Sequence, residues 1–179
     1  MDSIVRTSKF LSLVLRHKPE TVGIVLDDAG WVKISELIEA SRSSGQTLDH
    51  DLLLRVVHEN DKQRFAISAD GESIRANQGH SVKVDLGLTP QVPPEKLYHG
   101  TVAKFLTNIQ EQGLLRAERQ YVHLSADTQT AQRVGMRRGK PVILVIDTQK
   151  MSSDGMSFFL SNNGVWLTPH VPAMYIVFP

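Results

Sequence analysis

The stretch Arg64-Phe-Ala-Ile-Ser-Ala-Asp-Gly-Glu-Ser-Ile-Arg-Ala-Asn77 decides how the first half of the chain folds. Residues 64–68 and 73–77 both alternate, and the turn-forming Ala69-Asp70-Gly71-Glu72 lies between them. With Ser68 opposite Ser73, Ile67 faces Ile74 and Phe65 faces Ala76, which gathers the apolar residues on one side. A slip of one residue would turn them all outward, so the register is strongly specified. Arg64 and Arg75 then share the other face as near-diagonal neighbours, roughly 7–8 Å apart. Two guanidinium groups at that spacing need an anion between them or solvent around them.

Upstream of the hairpin the pattern is helical. Leu11, Val14 and Leu15 make an apolar stripe in a helix over 8–18, which Pro19 stops. Arg16, His17 and Lys18 crowd its last turn, where the helix dipole favours cations. A short β-like piece is expected over 23–26, a turn at Asp27-Asp28-Ala29-Gly30, and a returning segment at Trp31-Val32. A second helix is read over 35–42, with Ile34, Leu37 and Ile38 facing inward. A third, capped by Thr47 or Asp49, presents Leu53, Val56 and Val57. Three helices followed by a hairpin make a winged-helix arrangement. Its third helix carries only Arg55 as a permanent cation, which argues against sequence-specific DNA reading.

Downstream, residues 82–96 hold Pro90, Pro93 and Pro94 and few large apolar side chains, the composition of a linker. The boundaries expected are a lobe over 1–84, a linker over 85–96 and a second lobe over 97–179. Leu97-Tyr-His-Gly-Thr101 reads as a strand whose Gly100 suggests close approach by a ligand or another backbone. Helices are expected over 102–112 and 127–137. Between them Arg119-Gln-Tyr-Val-His-Leu-Ser125 alternates, with Val122 and Leu124 on one face and Arg119, Tyr121, His123 and Ser125 on the other. Such a face either lines a polar site or is the wet side of an edge strand. Val142-Ile-Leu-Val-Ile146 is continuous enough for a central strand buried on both faces. Further strands are expected over 158–160, 165–167 and 173–178. The fold class is therefore α+β in two lobes, the second dominated by strands.

Composition narrows the chemistry. The chain has 179 residues, 41% hydrophobic and 22% charged, with a net charge of +1 and no cysteine. Disulfides, thiolate nucleophiles and cysteine-bound zinc are excluded, which fits a cytoplasmic location. No apolar run reaches the roughly 20 residues that span a bilayer, and no secretory signal is expected at the N-terminus. The near-zero charge disfavours a large nucleic-acid footprint but leaves room for a local basic pocket. Walker A, G-x-G-x-x-G, H-E-x-x-H and G-x-S-x-G motifs are absent. His17-Lys-Pro-Glu20 has metal-like spacing, but Pro19 breaks the helix that would align the ligands, so no metal is expected. Arg16, His17, Arg64, Arg75 and Arg119 remain as candidates to grip phosphate, since guanidinium binds such oxygens bidentately. Taken singly, each is more often a surface charge.

The motifs Ser8-Lys-Phe-Leu…Leu15-Arg-His-Lys-Pro19, Gly30-Trp31, Lys62-Gln-Arg-Phe65, Ile74-Arg-Ala-Asn-Gln-Gly-His-Ser81, Tyr98-His-Gly-Thr101, Arg119-Gln-Tyr-Val-His-Leu-Ser125 and Asn163-Gly-Val-Trp-Leu167 occur in order along nearly the whole chain. In this the sequence resembles the NAD-dependent RNA 2′-phosphotransferases (KptA-like tRNA 2′-phosphotransferases). The resemblance implies an N-terminal winged-helix lobe for RNA and a C-terminal ADP-ribosyltransferase-like lobe with a mixed sheet for NAD⁺. It places the family's catalytic Arg-His-Arg-Arg on Arg16, His17, Arg64 and Arg119, in a cleft between lobes. Dinucleotide contacts fall on His99, Gly100, Thr101, His123 and Ser125, and phosphate or RNA contacts on Arg75, Gln78 and His80. The sequence departs from the family pattern at Tyr121, where many relatives carry histidine.

The reaction implied consumes NAD⁺ as co-substrate. The RNA 2′-phosphate attacks the nicotinamide-bearing ribose carbon, and transesterification then yields 2′-hydroxyl RNA and ADP-ribose 1″,2″-cyclic phosphate. A role in tRNA splicing, a monomeric state and no membrane association are expected. The competing readings are an ADP-ribosyltransferase acting on nucleic-acid phosphate termini and a non-catalytic winged-helix binder.

Overall fold

The computed structural model describes residues 3–179, which divide into two compact units with the boundary between Gly87 and Leu88. It is a mixed α/β chain with several small antiparallel sheets. No helix among the described residues is long and apolar enough to cross a membrane.

In the first unit, α1 (Ser3–Arg16) starts well before the apolar stripe that revealed it and buries Leu11, Val14 and Leu15. Asp27 builds the turn that follows, its Oδ1 accepting from the amides of Ala29 (2.9 Å) and Trp31 (2.8 Å). Gly30, at φ +82, completes that turn in a conformation that side chains disfavour. The β-like piece expected over 23–26 pairs with no strand. Its Ile24 is nevertheless buried in the core, so the segment is anchored by packing rather than by a ladder.

β1 (Val32–Lys33), α2 (Ile34–Ser43) and α3 (His50–His58) follow. Asp49 caps α3, its Oδ1 accepting from the Leu52 amide at 2.8 Å. The hairpin of β2 (Phe65–Ile67) and β3 (Ser73–Ala76) has the register read from its alternation: Phe65 opposite Ala76, Ala66 opposite Arg75 and Ile67 opposite Ile74. β1 adds to β3, giving the sheet order β1-β3-β2. Phe65, Ile74 and Ala76 join Leu37, Leu53 and Val56 in one core.

The second unit is built on β4 (Lys96–Val102) and β7 (Pro141–Asp147), paired antiparallel along their full length. β11 (Ile176–Val177) flanks β7 on its other side. β7 is central as expected, but Leu144 and Ile146 are fully buried while Ile143 and Val145 are only half-buried. A second sheet has the order β6 (Val122–Leu124), β9 (Trp166–Thr168), β8 (Phe159–Leu160). A bridge between Tyr98 and Ser125 ties β4 to β6. α4 (Leu106–Gln112), α5 (Thr128–Gly135) and α6 (Thr148–Ser153) cover the sheets, while β5 (Leu114–Leu115) pairs with β10 (His170–Val171). The expected strand over 173–178 begins instead as a 3-10 turn at Ala173–Tyr175.

The proline-rich segment is tied down. The Asp85 amide donates to the Asp28 carbonyl, Pro90 bridges Phe159, and Thr148 Oγ1 donates to the Pro94 carbonyl. Its prolines suit an extended backbone that is held at each end.

Candidate active site

In the first unit the basic residues singled out from the sequence converge. Arg16 is the last residue of α1, and the His17 amide extends the helix by one more bond, to the Leu13 carbonyl at 3.0 Å. The chain end beyond β3 closes over this turn: the amides of Ser81 (2.9 Å) and Val82 (3.2 Å) donate to the Arg16 carbonyl. Ser81 Oγ also lies 3.0 Å from His17 Nδ1, which orients the imidazole.

Arg16 and Arg64 are fixed by different means. Arg16 Nη2 donates to the Arg64 carbonyl at 3.4 Å, and its guanidinium lies 5.9 Å from the centre of the Phe65 ring. Arg64 Nη1 donates to Asn60 Oδ1 (3.2 Å), and Asn60 Nδ2 donates in turn to Ser8 Oγ (3.1 Å). Asn60 and Ser8 are both buried, so this chain of contacts holds Arg64 from below. Asn77 clamps the same corner: its side chain donates to the Gln63 carbonyl and its amide to the Arg64 carbonyl. Gln63 sits at φ +41 there, a conformation rare outside glycine. His17 and Arg64 open onto one groove of about 580 Å³, wholly within this unit.

Arg75, Gln78 and His80 part company. Arg75 lies 4.6 Å from the Trp31 ring centre and donates to the Ala29 carbonyl (3.3 Å), so it braces the Asp27 turn. Gln78 is half-buried. His80 is 1% exposed, and neither ring nitrogen has a hydrogen-bond partner among the described residues. Burial, reinforced by the charges of Arg16, His17 and Arg75, pushes His80 down to about 4, so it is neutral at pH 7.

The second unit holds the other group. His99 Nδ1 lies 3.1 Å from the His123 carbonyl, which can only accept. The proton is therefore on Nδ1, and burial lowers the ring's pKa, so neutral His99 presents Nε2 as an acceptor. His123 has the opposite tautomer: Arg119 Nη1 donates to its Nδ1 at 2.6 Å, leaving the ring proton on Nε2. Ser125 is half-buried where it bridges Tyr98.

One sequence expectation changes here and another is resolved. Arg119 is not part of the strand, because β6 begins only at Val122; it sits on the preceding bend and reaches His123 by its length. Its pKa is lowered, first by shielding of the guanidinium and then by Arg138 and Arg137, without threatening its charge near neutrality. Gly100 is explained by a neighbouring backbone. A Cβ there would fall 1.8 Å from the Ala131 carbonyl oxygen of α5, so this glycine lets a helix lie on β4. Thr101, next to it, is buried.

Sequence reasoning missed Asn60 altogether and gave Ser8, Asn77 and Trp31 only as motif members, without their role as supports. Each is a common residue type whose role depends on a partner far away in the chain, and only folding brings the two together.

The family model described as RNA 2′-phosphotransferase, Tpt1 / KptA family, matches residues 2–170. A chain from Agrobacterium fabrum described as a probable RNA 2′-phosphotransferase is 55% identical over 170 residues, covering 95% of this chain and 91% of its own length. One from Burkholderia pseudomallei with the same description is 55% identical, covering 97% and 95%. A third, from Fusobacterium nucleatum, is 48% identical over 179 residues, covering 99% and 100%. On this breadth of match the chain belongs to the RNA 2′-phosphotransferase family.

Proposed function

We propose that this protein removes an internal 2′-phosphate from RNA, of the kind left at a tRNA splice junction, and consumes NAD⁺ in doing so. The observation that carries the reading is the pairing of His17 and Arg64 on one groove, each held by its own buttress, Ser81 for the first and Asn60 with Ser8 for the second. A buttressed guanidinium and imidazole aimed at one space suit a phosphate better than a diffuse charge does. Three helices followed by the β2–β3 hairpin support a winged-helix description of the first unit. The histidine pair on β4 and β6 supports an ADP-ribosyltransferase-like, NAD⁺-binding role for the second.

A phosphate monoester has a second pKa near 6, so near neutrality it is mostly a dianion that needs no general base. NAD⁺ supplies an electrophilic ribose carbon with nicotinamide as its leaving group. The residues of this chain then have separable roles. His99 Nε2 accepts from a ribose hydroxyl, and His123, Thr101 and Ser125 contribute further polar contacts to the dinucleotide. Arg16, Arg64 and Arg119 carry the negative charge that builds on phosphorus as the phosphate leaves the RNA, a donor effect of about 3 kcal/mol each. His17 is the member of the set able to move a proton near neutrality, or to donate to the phosphate while Ser81 holds its other nitrogen.

The test is to incubate the protein with NAD⁺ and a short RNA bearing one internal 2′-phosphate, and to identify products by mass. The reading expects 2′-hydroxyl RNA, nicotinamide and ADP-ribose 1″,2″-cyclic phosphate in equal amounts. An RNA that keeps its phosphate and gains ADP-ribose would favour an ADP-ribosyltransferase. Absence of nicotinamide would overturn the reading.

A further inference from the structure

The groove that begins at His17 and Arg64 is far larger than a phosphate requires, being in the range of about 300–1,000 Å³ that accommodates drug-sized ligands. One wall is α1, which contributes two neighbouring rows, one of them Ile4, Ser8 and Ser12 and the other a ridge. Val5, Lys9, Leu13 and His17 follow one another at intervals of four residues and all line the groove. The opposite side of the helix, through Leu11, Val14 and Leu15, is buried in the core. Val5 and Leu13 are 44% and 38% exposed, although each is aliphatic. The facing wall, residues 59–62 and 64, adds Lys62 together with Glu59 and Asp61, and Glu59 is engaged by Arg55 at 3.2 Å. Over 12 residues at about 1.5 Å each, the ridge runs about 18 Å away from His17.

Exposed aliphatic side chains alternating with a lysine suit a chain of flat, apolar rings joined by phosphates. We infer that the RNA strand flanking the 2′-phosphorylated nucleotide runs along this α1 ridge, with Lys9 meeting a backbone phosphate and Val5 and Leu13 meeting base or ribose faces. The inference rests on the proposed function and deepens it: Lys9, with Val5 and Leu13, is the part of the chain that holds the strand next to the reacting nucleotide. Continuity with His17 and Arg64 fixes the occupant as the substrate's own flank. The charge of Lys9 matches a phosphodiester.

The test compares two substrates under saturating NAD⁺, a 2′-phosphorylated dinucleotide and an RNA of ten nucleotides with the same internal 2′-phosphate, using the whole chain. The wild-type protein should favour the longer RNA in kcat/KM, with the gain residing in KM. Lys9→Glu should cut that preference about tenfold, the scale of one charge-assisted contact. Lys9→Gln should reduce the salt dependence of KM for the longer RNA by a slope of about 1. Lys9 is exposed, so both variants should melt like the wild type. Equal use of the two substrates, or a length preference untouched by Lys9→Glu, would overturn the inference while leaving the proposed activity standing. No turnover of either substrate would instead remove the reading on which the inference rests.

Discussion

At the scale of single residues, the first unit turns ordinary polar side chains into fixed directions. His17 is oriented by Ser81 and Arg64 by Asn60, so neither depends on substrate to find its place. His80 lies under this layer as a buried imidazole, and its environment makes a prediction about pH. Its pKa is about 4 in the folded chain against an ordinary value near 6.5. As pH falls, the unfolded chain takes up this proton first. The stability tied to neutral His80 is therefore complete above about 6.5 and is lost between there and about 4, a loss approaching 3 kcal/mol. His99, also lowered mainly by burial, acts in the same direction. Urea midpoints measured from pH 7.5 to 4.5 should fall more steeply for the wild-type chain than for His80→Asn. Parallel profiles would show that His80 takes its proton without penalty.

At the scale of elements, what was legible in the sequence was what periodicity controls. The β2–β3 register followed from alternation because any slip would expose Phe65, Ile67, Ile74 and Ala76 together. The central place of β7 followed from an unbroken apolar run. Arg119 was misplaced because alternation continues through 119–121 although the backbone does not stay extended; Ala117, at φ +52, turns the chain just before it. The start of α1 was placed late because its first turns carry a mixed surface whose apolar members, Val5 among them, face outward. Of the candidate site, the arginines and histidines could be picked out by type, but their supports could not. Gly100 was legible as a close approach, and the structure identifies the neighbour as α5. Gly100→Ala drives a methyl into the Ala131 carbonyl, so α5 must lift from β4. It should cost at least the 1–3 kcal/mol typical of overpacking, read as a lowered melting midpoint. A midpoint equal to the wild type would contradict the close packing.

At the scale of the whole molecule, the proposed reaction draws Arg16, His17 and Arg64 from one unit and Arg119 from the other, and neither group alone makes the full set. On that proposal, loss of either contribution should all but abolish the activity. The most direct test is the rate of NAD⁺-dependent 2′-phosphate removal by Arg64→Ala and by Arg119→Ala, each checked for a wild-type melting transition. Both rates should fall by about 10²–10³, the cost of losing one fixed donor to the developing charge. If either folded variant kept the wild-type rate, the unit carrying that arginine would have no part in the chemistry assigned to it.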